Sequence, residues 1–167
     1  MKDIKKIQLG HHQNKEYKNP LMFAIVDNED YEELNAFKWC AQKRGNTCYA
    51  VRALRVDGKW TIVQMHAQIM QTPKGMHTDH RDGNGLNNQR ANLRVCTTSQ
   101  NAMNQGKRPH NQSGFKGISW DKGAKKWKAQ IMVNSKQINL GRFPTKELAH
   151  EAYIEACKKY HGAFSNY

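Results

Sequence analysis

His77-Thr78-Asp79-His80-Arg81-Asp82-Gly83-Asn84-Gly85-Leu86-Asn87-Asn88-Gln89-Arg90-Ala91-Asn92-Leu93-Arg94-Val95-Cys96-Thr97-Thr98-Ser99-Gln100-Asn101 is the stretch on which the reading of the fold turns. Asp82-Gly83-Asn84-Gly85 must reverse the chain, because Gly and Asn accept positive φ at little cost. Met76 to His80 before it suits an extended strand, and Asn92 to Cys96 after it places Leu93 and Val95 in alternation. Thr97-x-x-Gln100 has the form of a capping box, in which the Thr oxygen and the Gln side chain satisfy free amides at a helix start. The spacing predicts strand, long loop, strand, helix. Asn101 falls one turn into that helix, from where it can face back toward the hairpin.

Upstream, residues 1 to 70 carry short apolar runs at Leu21–Val26, Cys48–Leu54 and Trp60–Met65, each with β-branched or aromatic residues and a turn residue nearby. These read as strands. Between the first two, Asp27 to Leu34 is rich in acids at its start and predicts a short helix. Val56-Asp57-Gly58-Lys59 sets Asp-Gly between two apolar runs, a hairpin signal.

Downstream, Gln105 to Gly114 contains no apolar residue and reads as an exposed linker whose Lys107 and Arg108 can touch phosphate. A compact pattern then returns. Lys126 to Val133 alternates Trp127, Ala129, Ile131 and Val133 on one face with Lys126, Lys128, Gln130 and Met132 on the other. Phe115–Trp120 and Lys136–Leu140 read as neighbouring strands. Thr145-Lys146-Glu147 starts a helix with a stripe of Leu148, Ala149, Ala152, Tyr153 and Ala156. A three-stranded sheet covered by one helix leaves a basic, amide-rich face bare, and such a face can enter a major groove.

Composition points to a polyanionic partner. In 167 residues, 27 Lys and Arg stand against 14 Asp and Glu, for a net charge of +13 and a pI near 9.7. From Lys107 onward twelve basic residues face four acidic ones, so +8 of that charge lies in the last third. Charge this concentrated speaks for a phosphate backbone rather than a generally basic solvated surface. No apolar run approaches the ~20 residues that span a bilayer, and the first residues lack the apolar stretch of a secretory signal. The expectation is an intracellular, cytoplasmic protein with no membrane partner. Cys40, Cys48, Cys96 and Cys157 form no CxxC pair, so neither a zinc ribbon nor a disulfide framework is expected.

Asp79-His80, Asn92 twelve residues later and Asn101 nine after that resemble the HNH motif. Asp82-Gly83-Asn84 and Asn87-Asn88-x-Arg90-x-Asn92-Leu93-Arg94 bring the likeness close to phage and intron-encoded HNH homing endonucleases. Each residue alone is an ordinary turn or surface residue; it is the joint spacing that is specific. The third position is Asn101 rather than His, a variation those enzymes tolerate. The resemblance implies a ββα-metal nuclease in which Asp79 and Asn101 hold one divalent cation, Mg²⁺ or Mn²⁺ rather than zinc. His80 would be the general base toward water, and Asn92 would brace the loop so that His80 stays aimed. His77, two residues before Asp79, is a further candidate for metal or phosphate. Arg81, Arg90 and Arg94 read as phosphate clamps or as hairpin pairs, and His66 as a packed histidine.

The C-terminal text resembles the APETALA-two/ERF DNA-binding domain. The match runs through Ser113-Gly114-Phe115-Lys116-Gly117-Ile118, Lys126-Trp127-x-Ala129-x-Ile131, Leu140-Gly141-x-Phe143-x-Thr145 and Ala152-Tyr153, closing at Asn166. Carried over position by position, Lys116, Ser119, Lys128, Gln130, Met132, Gln137 and Asn139 lie where that family's sheet meets DNA. Where the family favours Arg at several of these, Lys, Gln, Met and Asn stand here. Trp127 reads as core, since its alternation partners are apolar.

The expected fold is α+β: an HNH nuclease domain at 1–105, with its ββα-metal motif near 75–105, a basic linker at 106–114 and an ERF-like domain at 115–167. The expected activity is site-specific, metal-dependent cleavage of double-stranded DNA by a phage or mobile-element protein, acting as a monomer or homodimer. A non-catalytic DNA-binding regulator, and a structured-RNA nuclease or binder, are the alternatives.

Overall fold

The computed structural model describes residues 3–11, 21–107 and 110–165. The chain forms two compact units, Met1–Cys96 and Thr97–Tyr167.

The first unit is built on a five-stranded sheet of order β2-β1-β3-β4-β5. Its strands are β1 (Ile4–His11), β2 (Met22–Asp27), β3 (Cys40–Arg44), β4 (Thr47–Val56) and β5 (Lys59–Gln64). Neighbours are antiparallel except β1 and β3, which pair in parallel over Gly10 and His11. The β4–β5 turn holds Asp57 at φ 48° and Gly58 at φ 77°, the twist that a two-residue hairpin needs. Helix α1 (Asn28–Asn35) packs on β1 and β2 and buries Leu34. Ile7, Leu9, Val26, Leu34, Trp39, Met65 and Leu93 share one core, and Trp39 Nε1 donates to the Leu34 carbonyl at 2.8 Å.

Three elements of this unit, β1, β3 and helix α2 (Met65–Ile69), lie beyond the sequence reading. Strand β1 buries Ile7 and Leu9 but exposes Lys5 and Lys6 before them and Gln8 between them, so its buried apolar signal is only two residues strong. Helix α2 has five residues, too few for a helical period, and continues the apolar run of β5. It turns Met65, His66 and Ile69 inward. Strands β6 (His77–His80) and β7 (Leu93–Cys96) then form the anticipated antiparallel hairpin around a twelve-residue loop.

The second unit begins with helix α3 (Thr98–Asn104), whose capping box is complete. The Gln100 N–H donates to Thr97 Oγ1 at 3.2 Å, and the Thr97 N–H donates to Gln100 Oε1 at 2.9 Å. Strands β8 (Ile118–Asp121), β9 (Lys126–Val133) and β10 (Lys136–Phe143) form an antiparallel sheet of order β10-β9-β8. Helix α4 (Lys146–Tyr160), capped by Thr145, crosses one face. Ile118, Ala129, Ile131, Ala149, Tyr153, Ala156 and Cys157 form the core, with Trp127 packed against it. Leu148, expected in the helix stripe, is instead 44% exposed, and Cys157 takes a buried place. Gly117 has φ +74°, and a Cβ there would strike the Tyr153 ring and the Gln130 carbonyl, so the strand entry depends on glycine. Among the described residues no helix is long and apolar enough to cross a membrane.

Candidate active site

The β6–β7 register sets His77 opposite Cys96, Thr78 opposite Val95, Asp79 opposite Arg94 and His80 opposite Leu93. A directly opposed pair of unlike charges is favourable in a ladder. Here it becomes a close ion pair: Arg94 donates from Nε at 2.8 Å and from Nη2 at 2.6 Å, both to Asp79 Oδ2. Asp79 is 7% exposed and Arg94 8%. Of the two readings offered for Arg94, the geometry is that of a hairpin pair.

His80 turns into a small aromatic chamber. Its ring lies 4.9 Å from His66 at 86° and 5.8 Å from Tyr49, and those two rings are 5.5 Å apart. His80 Nε2 donates to Asn88 Oδ1 at 3.2 Å. Burial lowers the His80 pKa, and the Asn88 bond with the charges of Asp82 and Asp79 opposes that only in part. His66 is driven further, to about 3, by burial, then by His80 and Arg44. Both rings are therefore neutral at neutral pH, as a proton acceptor must be. His66 was read from the sequence as a packed histidine. It is packed, and its neighbour is His80, which only tertiary structure could reveal.

The loop between the strands is stapled to the sheet. The Ile25 N–H donates to the Leu86 carbonyl at 2.8 Å and the Asn88 N–H to the Ile25 carbonyl at 2.7 Å. Gly85 N–H donates to Thr47 Oγ1 at 3.0 Å. Asn92 spans the loop: Oδ1 accepts from the Asp82 N–H at 3.1 Å, while Nδ2 donates to the Asn87 carbonyl at 2.8 Å and to Asp82 Oδ1 at 2.9 Å. Hydrogen bonds from Asn87, Asn84 and Asn92 outweigh partial burial at Asp82 and hold its carboxyl below the usual range.

Arg90 closes the loop. It donates to both oxygens of Asp30, at 2.9 and 2.6 Å, lies 3.3 Å from Glu29, and its backbone N–H donates to Asp27. Asp27, Glu29 and Asp30 cluster closely enough to suggest a cation site, and the guanidinium supplies that cation. Arg90 is thus spent on the scaffold, whereas Arg81 is exposed beside His80.

Asn101 stands one turn into α3, half-buried, its N–H donating to the Thr97 carbonyl at 2.9 Å. The Asp79 carboxylate is a hard oxygen donor, which suits Mg²⁺ or Mn²⁺ better than a softer zinc site.

In the second unit the expected DNA-facing residues share one sheet face. Ser119 pairs with Lys128, Gln130 with Asn139 and Met132 with Gln137. Arg142, absent from the sequence reading, joins them opposite Lys128. A β-bulge between Asn139 and Gly141 resets the two-residue alternation, so counting by twos puts Arg142 on the wrong face. An open groove of about 1030 Å³ is lined by Lys107, Lys116, Ser119, Gln130, Met132 and Gln137, with α3 along it. Lys116 departs from a bare DNA contact. Its Nζ donates to the Met103 carbonyl in the last turn of α3 at 2.6 Å, and burial lowers its pKa. Arg108 and Asn166 lie outside the described residues.

Known families match both halves. An HNH endonuclease family model covers residues 71–103 and an AP2 domain model covers residues 113–163. Protein 3.8 of Escherichia phage T7 is 34% identical over 107 residues, spanning 61% of this chain and 88% of that protein. An uncharacterized HNH endonuclease of Acanthamoeba polyphaga mimivirus is 26% identical over 144 residues, 86% of this chain and 73% of its own length. No solved structure matches the chain.

Proposed function

The chain belongs to the HNH endonuclease family and joins its HNH segment to an AP2 domain, and on that premise we propose a site-specific endonuclease of double-stranded DNA. It hydrolyses phosphodiester bonds to 5′-phosphate and 3′-hydroxyl ends with one divalent cation, Mg²⁺ or Mn²⁺. The observation that carries the reading is a buried, neutral, hydrogen-bonded His80 next in sequence to the carboxylate of Asp79.

Asp79 and Asn101 would hold the cation, which when bound neutralises charge on the phosphoryl oxygens and the departing 3′-oxygen. His80 accepts a proton from water as that oxygen attacks phosphorus and the bond to the 3′-oxygen breaks. The departing oxygen is protonated from solvent. Asn92 keeps the loop in register, and Arg94 fixes the Asp79 carboxylate. Arg81 and the groove residues hold backbone phosphates, and Ser119, Lys128, Gln130, Met132, Gln137 and Asn139 face base edges.

By function we divide the chain into a nuclease part at 1–105, a basic linker at 106–114 and a DNA-reading module at 115–167. Phage and giant-virus relatives support a phage or mobile-element protein of the homing type, acting in the host cytoplasm.

Supercoiled plasmid incubated with protein and Mg²⁺ tests the reading. Cleavage should appear, and His80→Ala should slow it by ~10²–10⁴. No cleavage by the wild type, or undiminished cleavage by His80→Ala, overturns it. Duplex RNA offered at the same salt concentration separates DNA cleavage from an RNA nuclease.

A further inference from the structure

We propose that the β4–β5 hairpin is a second DNA-contacting arm, which enters the major groove of a duplex with Trp60 and holds its phosphates with Arg55 and Lys59. The inference rests on the reading of duplex DNA as the substrate.

Residues 53–62, which surround the Asp57-Gly58 turn, are all exposed. An antiparallel sheet ordinarily packs one of its faces on a core, so this end of the ladder projects beyond the core as a ribbon with both faces bare. Its pairing persists to the tip: Ala53 stands opposite Ile62, Arg55 opposite Trp60 and Val56 opposite Lys59. A lone two-stranded ribbon is marginal in water, and this one is anchored at its base. There Arg52 lies 4.0 Å over the Phe37 ring and donates from Nη2 to Gln68 Oε1 at 3.1 Å. Arg52 is committed to the scaffold. Arg55 instead donates from Nε to the Gly58 carbonyl at 3.3 Å, within its own turn, and neither it nor Lys59 forms an ion pair among the described residues.

Charge selects the occupant. Between Lys38 and Lys59 six basic residues face one acid, Asp57, while the rest of residues 1–106 balance at nine and nine. The excess charge of the nuclease half thus lies on this stretch alone. Two copies meeting along the β5 edge would bring these cations together, which is unfavourable; a phosphate backbone receives them. Trp60, at 73%, is the most exposed large apolar side chain among the described residues. A major groove about 12 Å wide admits a two-stranded ribbon and offers thymine methyls to an apolar side chain. Alternation along β4 puts Arg55 and its partner Trp60 on the face that carries Tyr49, the wall of the His80 chamber. Six residues of strand separate Arg55 from Tyr49, about 20 Å, or about six base pairs of duplex. One DNA segment therefore reaches from the chamber to the arm.

A random-sequence duplex with 5-bromodeoxyuridine in place of thymidine, irradiated with the full chain in EDTA, gives the direct test. The bromine replaces the methyl group in the major groove. Peptide mapping should find the cross-link at Trp60; cross-links confined to residues 113–163 overturn the proposal. Trp60→Ala should raise Kd for the unmodified duplex at least about fivefold and leave the slope of log K against log salt unchanged. Arg55→Gln and Lys59→Gln together should reduce that slope by about 2. Wild-type Kd and slope in both variants overturn it. A dimer in sedimentation that becomes a monomer in Trp60→Ala, with DNA affinity unchanged, assigns the ribbon to a second copy and also overturns it. Wild-type protein that cross-links through Trp60 yet leaves plasmid intact in Mg²⁺ would sink the endonuclease reading and keep the arm, so the two failures are distinguishable.

Discussion

Arg94 stands directly across the β6–β7 ladder from Asp79, and its Nε and Nη2 converge on a single carboxylate oxygen, Oδ2. The guanidinium thus holds the carboxylate at one corner, so that its orientation is fixed by the protein before any cation or DNA arrives. Planar, two-donor capture is specific to arginine and is not reproduced by a lysine.

Removing that partner strands a buried carboxylate. Arg94→Met should destabilise the first unit by about 3–5 kcal/mol, the range for breaking a buried pair from one side. Arg94→Lys should recover part of the stability and less of the cleavage, because one ammonium cannot fix the carboxylate plane. Urea unfolding and plasmid cleavage on the same preparations check both.

Gly85 is buried where the loop crosses β4. A Cβ there would lie 2.7 Å from Tyr49 Cδ1 and would overlap the Cys48 carbonyl, which is backbone and cannot yield. Gly85→Ala should therefore cost about 1–3 kcal/mol of stability. It should also lower kcat, since the Tyr49 ring it displaces is a wall of the His80 chamber. A variant that melts and cleaves like the wild type refutes the close approach.

His66 makes stability depend on pH. Its pKa is about 3 when folded and about 6.5 when unfolded, so on acidification the unfolded chain takes up the proton first. Stability is complete above about pH 6.5 and declines as pH falls from there toward 3, with an upper limit of about 5 kcal/mol. His80 is shifted in the same direction and adds to the decline. Urea midpoints measured from pH 7 to 4 should fall steeply in the wild type and less steeply in His66→Gln. An equal slope in both proteins contradicts the assignment.

The sheet face and its edge should respond differently to mutation. Arg142 carries an exposed ion pair with Asp121 at 2.7 Å, an easily exchanged partner. Arg142→Ala should weaken DNA binding and reduce the slope of log K against log salt by about 1. Lys116→Met should leave that slope nearly unchanged and increase hydrogen exchange in the last turn of α3, because its ammonium caps Met103. A salt slope that falls equally in both variants would return Lys116 to the phosphate contacts.

Much of this was legible in the residues. The strand–loop–strand–helix order from Met76 to Asn101 follows from alternation, turn chemistry and a capping box, all local signals, and the last unit follows from two alternating faces and a capped helix. What escaped were features made by tertiary contact. Strand β1 has only Ile7 and Leu9 to announce it, and α2 is too short to show a period. The neighbours of His80 come from three separate elements, and Arg142 changes face at a bulge. Lys116 looked like a surface cation because nothing local records that its ammonium ends at a helix terminus. Arg90 looked like a phosphate clamp for the same reason, with its carboxylates about sixty positions upstream.

The staples on the loop also set an order of assembly. Gln89 and Arg90 reach Asp27 across 62 and 63 positions, and Asn88 closes on Ile25 over a similar span. Loops of that length close late, because their entropy must be met before any contact rewards it. As the chain emerges from the ribosome, the aim of His80 waits on the return of residues 85–90 to a strand made long before them. A fragment that contains the whole HNH segment but lacks β1 and β2 would hold every reacting group and still have no directed base. The base is thus aimed only once the loop that follows His80 has docked on β2, and the N-terminal sheet, made first, serves as the template on which the HNH segment is finished.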